Sequence, residues 1–420
     1  MTIEDLTARA VELDSADPLA PCASEFLPTR DGLTYLDGNS LGRPLAASRE
    51  AVLEVLDSQW AGDLIESWNT WIGLSRSIGD RLAVNCLGAS EGTTVVSDST
   101  SVNIYKLASA ALDARPDRPD IVADANEFPT DLYVLDGLAR ARGGRLRLIP
   151  SDPVSGIDPA TVESLLDDRV ALVSLSHANY RSGALVDMTA VTAAAHRVGA
   201  LAMWDLCHSV GVVPIELEAA GVDLAVGCTY KYLNGGPGSP AFLFVAEHHH
   251  SSMLQPIHGW FGQSRQFDMD PTYDPVPAVE RFLVGTPPIL SITPIGPAVD
   301  QLARAGISEI RAKSRSLTEL IVDTHDLLLA PLGFTLGSPR RSEARGGHVT
   351  VRHPDALAIS TAIREEASVV GDFRRPDGIR LAPAPLYTSH CSVVEAMAAI
   401  AAVVSSGAHE RFRGEAGRVT

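Results

Sequence analysis

The middle of the chain alternates between short apolar runs and amphipathic segments. The run at residues 170–175 is apolar except for one serine, which is typical of a strand buried on both faces. Similar runs predict strands at 120–125, 145–149, 201–206, 224–229 and 241–245, and the segments between predict helices at 130–142, 159–166 and 191–198. Strands that alternate with helices indicate an α/β fold with a mostly parallel central sheet, in which ligands bind beyond the carboxyl ends of the strands.

The pattern changes after residue 293. A long helical stretch is predicted at 296–329, followed by a strand at 348–352, a helix at 355–366, a strand at 379–382 and a helix at 393–405. This order predicts a smaller α+β domain. We therefore expect an N-terminal segment at 1–50 that packs with the small domain, a large domain at 51–295 and the small domain at 296–420, with a frayed polar tail from residue 407.

Charge and cysteine usage exclude several classes of protein. The 420 residues include 34 Lys and Arg and 52 Asp and Glu, a net charge of −18, which argues against nucleic-acid and anionic-membrane partners. No apolar run reaches the ~18 residues of a membrane span, and the N-terminus lacks a basic region followed by an apolar one. The five cysteines are scattered without a CxxC motif, so we expect a cytoplasmic protein without a disulfide framework.

The first candidate for chemistry is the sequence Gly-Asn-Ser-Leu-Gly at 38–42. It matches the G-x-S-x-G nucleophile elbow of α/β hydrolases, which would make Ser40 a nucleophile. An elbow is followed directly by a helix, however, and Pro44 interrupts the expected helix start. A turn that needs glycine is therefore the preferred interpretation, and a serine hydrolase is an alternative.

Two charged residues follow predicted strands. Asp205 ends the strand at 201–206, where it is either a ligand-binding carboxylate or a helix N-cap. Lys231 follows the strand at 224–229, between two tyrosines and ahead of a glycine-rich turn, whereas an ordinary lysine would lie on the surface. An aspartate and a lysine at the ends of parallel strands are what a pyridoxal 5'-phosphate (PLP) site needs. The lysine binds the aldehyde carbon, and the aspartate pairs with the pyridine nitrogen.

Other candidates have ordinary structural alternatives. Thr100 and Ser101 open a probable helix and could bind a phosphate or cap the helix. Phe128 could stack on a planar ring or pack in the core. Arg380 lies within a predicted strand and could bind a carboxylate bidentately or form a surface ion pair. The three adjacent histidines at 248–250 resemble a metal motif, but neighbouring residues rarely converge, so we expect them to be exposed and expect no metal site.

Taken together, these motifs resemble the kynureninase family, of the bacterial type. The resemblance implies a PLP-dependent transferase-like (fold type I) large domain, PLP as cofactor, and a homodimer with the site at its interface. The matching segments are 38–42, Trp-Asp-Leu-x-His at 204–208, Tyr-Lys-Tyr-Leu-Asn at 230–234, His-Gly-Trp-Phe-Gly at 258–262, Gly-Thr-Pro-Pro at 285–288, and 371–387. One departure is Gln263, where the family usually has histidine.

The resemblance also implies a role for individual residues. Lys231 is the Schiff-base lysine, and Tyr230 is a proton relay. Arg380 binds the α-carboxylate of the substrate, and Ser40 and Thr286 also bind the substrate. Trp260 and Thr286 come from the partner subunit. The cofactor-binding set is Thr100, Ser101, Phe128, Asp131, Ser176, Asp205, His208, Tyr230, Lys231, Trp260 and Thr286.

The activity implied is hydrolysis of the Cβ–Cγ bond of L-kynurenine to anthranilate and L-alanine. Animal members of the family favour 3-hydroxykynurenine and have Ser-Asn in place of Gly285-Thr286 and a histidine near Gly62. The smaller residues here predict a preference for L-kynurenine. The alternative is another fold-type I enzyme, a desulfurase or an aminotransferase. Cys391 is a poor candidate for a desulfurase nucleophile, because it lies beyond the Arg380 strand.

Overall fold

The computed structural model describes residues 2–414 as an α/β structure. Its strands are β1 (Thr34–Tyr35), β2 (Thr94–Val96), β3 (Asp120–Asp124), β4 (Leu146–Ile149), β5 (Val170–Ser176), β6 (Leu201–Asp205), β7 (Leu224–Gly227), β8 (Phe242–Val245), β9 (Thr335–Leu336), β10 (Val349–Arg352), β11 (Val369–Val370), β12 (Asp372–Arg374) and β13 (Gly378–Leu381). Its α-helices are α1 (Ile3–Ser15), α2 (Ala46–Glu54), α3 (Trp68–Trp71), α4 (Leu74–Cys86), α5 (Thr100–Asp113), α6 (Pro129–Ala141), α7 (Pro159–Glu163), α8 (Met188–Arg197), α9 (Ile289–Ile292), α10 (Ile295–Ala305), α11 (Ile307–Thr324), α12 (Ala356–Glu366) and α13 (His390–Ser405).

The central sheet has seven strands in the order β2-β8-β7-β6-β5-β3-β4. Strand β8 is antiparallel to both of its neighbours, and the other pairs are parallel. Successive residues of β5 enter different apolar clusters, since Leu172 packs on one face of the sheet and Val173 on the other. Burial on both faces explains why this strand has no polar face in the sequence. The mostly parallel sheet is thus confirmed.

A smaller antiparallel sheet lies toward the C-terminus, with the order β12-β13-β10-β9. Helices α11, α12 and α13 pack on it in one apolar cluster, which also includes Leu6 and Ala10 of α1. The Asp14 carboxylate accepts hydrogen bonds from the backbone N–H groups of His390 and Cys391, at 2.7 Å and 3.0 Å, and so caps α13. The N-terminal helix therefore packs against the C-terminal core. Division of the chain at residues 50 and 295 stays a prediction.

Two expectations about this half of the chain are wrong. The helix predicted at 296–329 is interrupted at Gly306, whose φ of +77° is accessible to glycine, and it ends in a π-helical segment at His325–Leu329. The tail expected to fray from residue 407 forms a 3₁₀ helix at Ala408–Phe412 with a buried His409. The rest of the predicted tail, 415–420, lies outside the described residues. Among the helices of residues 2–414, none is both long enough and apolar enough to cross a membrane.

Candidate active site

A cavity of about 460 Å³ opens at the carboxyl edge of the central sheet. Ser176 ends β5, Asp205 ends β6 and Lys231 follows β7, so three neighbouring strands deliver their side chains to one place. The N-terminus of α5 closes another side. Its lining residues are Asp98, Ser99, Thr100, Ser101, Phe128, Thr130, Asp131, Ser176, Tyr180, Asp205, Cys207, His208, Tyr230, Lys231, Pro237, Gly238, Ser239 and Ala241.

Lys231 is hydrogen-bonded to a histidine at the base of the cavity. Its Nζ lies 2.9 Å from Nε2 of His208, which is buried. Burial, followed by the positive charges of Lys231 and Arg380, holds the pKa of His208 well below its usual range. The imidazole is therefore neutral at neutral pH, and its Nε2 can accept a hydrogen bond from the amine. Within residues 2–414, the buried Nδ1 of His208 has no hydrogen-bond partner.

The sequence has three lysines, and Lys231 differs from the other two in its surroundings. Lys106 is fully buried and pairs with Asp98 at 2.7 Å. Lys313 is 7% exposed and pairs with Asp17 at 2.6 Å. Lys231 is thus the lysine whose amine faces the cavity.

The turn at 38–42 packs against the segment that carries Lys231. The Gly42 N–H donates to the Tyr230 carbonyl at 2.8 Å. A Cβ at Gly42 would overlap Oδ1 of Asn234 and the Lys231 carbonyl oxygen, so this close approach requires glycine. Ser40 Oγ accepts from Arg380 at 3.1 Å and donates to Asp372 at 3.4 Å. These partners place Ser40 in an ion-pair network rather than beside a general base, which disfavours the serine-hydrolase alternative.

Three carboxyl groups are clustered on the side of the cavity formed by β5 and β6. Asp205 accepts from the Cys207 N–H at 2.6 Å. Burial, followed by the charges of Asp205 and Glu127, raises the pKa of Asp131 well above its usual range. Burial raises the pKa of Glu127 to about 7, against hydrogen bonds that it accepts from the Ser176 hydroxyl and N–H. The three carboxyl groups therefore lack a positively charged partner. A protonated pyridine nitrogen beside Asp205 would provide that charge.

The opposite end of the cavity is formed by the start of α5. Ser99 is its N-cap, with Oγ accepting from the Val102 N–H at 3.4 Å. The first amides of a helix have no intrahelical partner, and they carry a partial positive charge. The hydroxyls of Thr100 and Ser101 lie beside these amides and line the cavity. This end therefore suits a phosphate group.

Aromatic side chains line the remaining wall. Phe128 is 42% exposed, and its ring meets Tyr180 edge to face at 5.3 Å. The exposed face of Phe128 is available for stacking on a planar ring. The cavity therefore fits PLP. It offers an amine, a carboxylate for the pyridine nitrogen, a helix N-terminus for the phosphate and an aromatic face for the ring.

Arg380 lies behind the cavity and is 1% exposed. Its Nη1 donates to the Tyr180 carbonyl at 2.6 Å, and its Nη2 forms a very short ion pair with Asp372. Arg374 pairs with the same carboxylate at 2.8 Å. The ion pair of Arg380 is thus buried rather than superficial. Its Nε is a buried donor without an acceptor among the described residues.

Two further predicted site residues, like Arg380 and Ser40, do not line the cavity of this chain. Trp260 is 42% exposed in the 3₁₀ turn Trp260–Gly262, and Thr286 is also exposed. Gln263 follows that turn, where its side chain accepts from the Asp274 N–H at 2.6 Å and donates to the Thr272 carbonyl at 3.1 Å. An amide can make both bonds, so Gln263 fixes this loop.

Sequence reasoning missed several residues of this region. Glu127 follows strand β3, and the rule that found Asp205 could have found it. Cys207 lines the cavity, and its sulfur accepts from the Cys228 N–H at 3.1 Å. Asp372 carried no signal, because its partner lies on another strand.

The histidines at 248–250 differ from one another. His248 is 67% exposed, as expected. His250 is buried, and its Nε2 hydrogen-bonds to the Val245 carbonyl at 2.8 Å. His249 is 12% exposed and lies 2.8 Å from Asp223. The expectation that all three are exposed is wrong.

The fold and the site together define a class of enzyme. The apo cysteine desulfurase from Thermococcus onnurineus NA1 superimposes with a TM-score of 0.79, at 18% identity over 91% of this chain and 98% of that chain. A mutant of C-DES with glycine covalently linked to its PLP cofactor gives a TM-score of 0.78, at 18% identity over 89% of this chain and 99% of that one. The chain has the fold-type I architecture of PLP-dependent enzymes.

Sequence similarity identifies the particular family. The family model described as Kynureninase C-terminal domain matches residues 310–400. The protein named Kynureninase from Pseudomonas fluorescens is 43% identical over 395 residues, which cover 92% of each chain. Its namesake from Burkholderia pseudomallei (strain 1106a) is 41% identical over 397 residues, 92% of this chain and 93% of that one. The chain belongs to the kynureninase family, which confirms the resemblance.

Proposed function

We propose that this enzyme binds PLP and hydrolyses the Cβ–Cγ bond of L-kynurenine to anthranilate and L-alanine. The observation that carries this proposal is the 2.9 Å contact between Lys231 and the neutral His208, in one cavity with the buried Asp205. The relatives named Kynureninase match 92% of the chain, which assigns the substrate.

A desulfurase would need a reactive cysteine thiolate near the substrate. Burial, then a hydrogen bond to Asp14, raises the pKa of Cys391 to about 11, and Cys391 lies at the start of α13. In the cavity, the hydrogen bond with Cys228, followed by burial, raises the pKa of Cys207 well above its usual value. Both thiols are protonated at neutral pH, and the third nearby thiol, that of Cys228, is 1% exposed and does not line the cavity. These observations favour a hydrolase over a desulfurase.

Several residues of the cavity have a part in holding the cofactor. Lys231 attaches it covalently, and Asp205 keeps its pyridine nitrogen protonated, with Asp131 and His208 beside them. Phe128 stacks on the ring, and Ser176 holds Glu127 in the carboxyl cluster. Thr100 and Ser101, with the start of α5, bind the phosphate.

Bound PLP supplies an electron sink for bond breaking next to the amino acid's α-carbon. Once released from the cofactor, the Lys231 amine is placed to take the Cα proton, and His208 fixes its position by the 2.9 Å contact. The charge of Cys228, followed by burial, raises the pKa of Tyr230, so its phenol is neutral. Tyr230 can therefore donate a proton to Cβ, the carbon that the broken Cβ–Cγ bond leaves on the alanine product.

The remaining roles concern the carboxylate of the substrate and the partner subunit. We place Arg380 and Ser40 at the substrate's α-carboxylate, since the buried Nε of Arg380 is a donor without an acceptor among the described residues. Trp260 and Thr286 complete the site of the partner subunit in a homodimer. The proposed location is the cytoplasm, in keeping with the five free cysteines.

The proposal is tested by incubating purified holoenzyme with L-kynurenine and measuring anthranilate and alanine. The wild type should form both products in equal amounts. Lys231→Ala should lose turnover and the cofactor absorbance near ~420 nm. Tyr230→Phe is the matched control, since it keeps the amine and should retain the absorbance while turning over more slowly. Product formation by Lys231→Ala at the wild-type rate would refute the proposal.

Substrate preference is proposed from the residues near the aromatic end of the substrate. A Cβ at Gly285 would contact nothing within 4 Å, so this position offers space and no polar group. An unpartnered buried hydroxyl costs ~1–3 kcal/mol, which predicts a kcat/KM roughly 5–150-fold higher for L-kynurenine than for 3-hydroxykynurenine. Parallel kcat/KM measurements decide this, and equal values would contradict it.

A further inference from the structure

A second group of reactive side chains lies at the amino edge of the central sheet. Asp223 immediately precedes β7, and His248 and His249 follow β8. Because β8 is antiparallel to β7, with Val245 paired to Leu224, the end of β8 lies beside the start of β7. The topology therefore brings one aspartate and two histidines together.

Their ligand atoms have the spacing of a metal site. His249 Nε2 lies 2.8 Å from Asp223 Oδ1, and His248 Nε2 lies 3.8 Å from the same oxygen. All three atoms lie within 4.8 Å of one another. In a tetrahedral site with metal–ligand bonds of about 2.0–2.1 Å, neighbouring ligand atoms are about 3.3 Å apart. The observed distances bracket that value, and the rings of His248 and His249 lie side by side with their centroids 3.9 Å apart.

The carboxylate is held in the orientation that such a site needs. Asp223 is 4% exposed, and its other oxygen, Oδ2, accepts from the Ala202 N–H at 2.8 Å. His196 Nε2 lies 2.7 Å from that same oxygen. Oδ1 is thereby directed at the two histidines, in the way that outer partners orient the ligands of natural metal sites.

We propose that Asp223, His248 and His249 bind one divalent cation of the class that prefers imidazole and carboxylate ligands, with Zn²⁺ as the best match. Three protein ligands leave a fourth position for water. The cation would replace the proton between His249 and Asp223. It would join the end of β8 to the start of β7, and His196 would connect this junction to α8.

This site is separate from the proposed catalytic centre. Asp223 and Lys231 lie beyond opposite ends of β7, which puts roughly 15 Å between the two edges of the sheet at about 3.3 Å per residue. Bound Zn²⁺ should therefore stabilise the fold without changing the turnover of L-kynurenine.

The experiment titrates untagged, chelator-treated holoenzyme with Zn²⁺ in competition with a chromophoric chelator. One Zn²⁺ should bind per chain. His248→Ala should bind at least about 10-fold more weakly, since even outer partners of a metal site contribute about 10–100-fold. The exposed His258 is the matched control, and His258→Ala should bind Zn²⁺ like the wild type.

Thermal unfolding of the same samples provides a second measurement. Saturating Zn²⁺ should raise the melting temperature of the wild type and of His258→Ala, but not that of His248→Ala at the same Zn²⁺ concentration. Absence of saturable binding, or identical titrations of the wild type and His248→Ala, would overturn the proposal. Loss of turnover on Zn²⁺ binding would refute the separation of the two sites.

Discussion

At the scale of single residues, the site depends on charges that are removed from water. Arg380 and Asp372 form an ion pair in which the side chains are 1% and 0% exposed. Breaking such a pair leaves a buried charge without its partner, which costs about 3–5 kcal/mol. The guanidinium also donates to the Tyr180 carbonyl and to the Ser40 hydroxyl, so both of its terminal nitrogens are fixed in position.

Arg380→Lys should therefore lower kcat/KM by roughly 10–10³-fold, because one ammonium cannot replace three oriented donors. The matched control is Arg374→Lys, which touches the same Asp372 from a position outside the proposed site. Steady-state kinetics of both variants check the prediction. Equal losses in the two variants would mean that Arg380 acts only by neutralising Asp372.

Glu127 predicts how stability depends on pH in the cofactor-free protein. Its pKa is raised from 4.5 to about 7, so the folded state binds more protons than the unfolded state between those values. The free energy of unfolding should therefore fall as the pH rises through this window, by about 3 kcal/mol from this residue. Urea unfolding at pH 5 and pH 8 measures the difference.

Glu127→Gln should shrink that difference, because the amide does not titrate. Some slope should remain, since burial, followed by the charge of Asp372, also raises the pKa of Asp37 to about 6. An identical pH dependence in wild type and variant would show that Glu127 is ionised in the folded protein.

At the scale of elements, the turn at 38–42 positions the loop that carries Lys231. The two segments are joined by the bond from Gly42 N–H to the Tyr230 carbonyl, and no side chain fits between them. The G-x-S-x-G pattern is thus explained by a close approach of two backbone segments rather than by a nucleophile. Its glycines are needed where the turn packs closely against neighbouring backbone.

Gly42→Ala should destabilise the fold by about 1–3 kcal/mol, because the added methyl group overlaps the Lys231 loop. It should also lower the fraction of enzyme that retains PLP. The matched control is Gly137→Ala in α6, where a Cβ meets nothing within 4 Å and should be neutral or slightly stabilising. Thermal unfolding and cofactor absorbance check both variants, and a neutral Gly42→Ala would show that the turn can move away.

At the scale of the whole molecule, exposed apolar side chains indicate a surface that contacts another protein chain. Trp260, Phe267 and Met269 are 42%, 67% and 70% exposed. Trp60 and Leu290 line a separate apolar groove. Large exposed apolar patches usually mark protein–protein contacts. They support the proposed homodimer, in which Trp260 would serve the partner's site.

Mixing inactive chains tests that arrangement. In a mixed dimer of Lys231→Ala and Trp260→Ala chains, a site shared between subunits is intact in one of its two copies. Activity should then recover to about one quarter of the wild-type level after random reassociation. If Trp260 acted within its own chain, both sites of the mixed dimer would be defective and no activity would return.

The sequence by itself predicted the alternation of strands and helices from β3 to β8 and the placement of Asp205 and Lys231 at one edge of the sheet. Apolar periodicity depends on neighbours along the chain, and the carboxyl ends of parallel strands always share an edge. That edge also explains why Thr100, Phe128 and Asp131 line the same cavity.

Only the tertiary structure decided which distant groups pair. Asp372 meets Arg380 because β12 and β13 are antiparallel in a register that sets the two residues opposite each other. His249 meets Asp223 because one strand of the sheet, β8, runs against the others. Both pairings depend on strand direction and register, which are set by the burial of whole faces and by backbone hydrogen bonds between segments far apart in the chain.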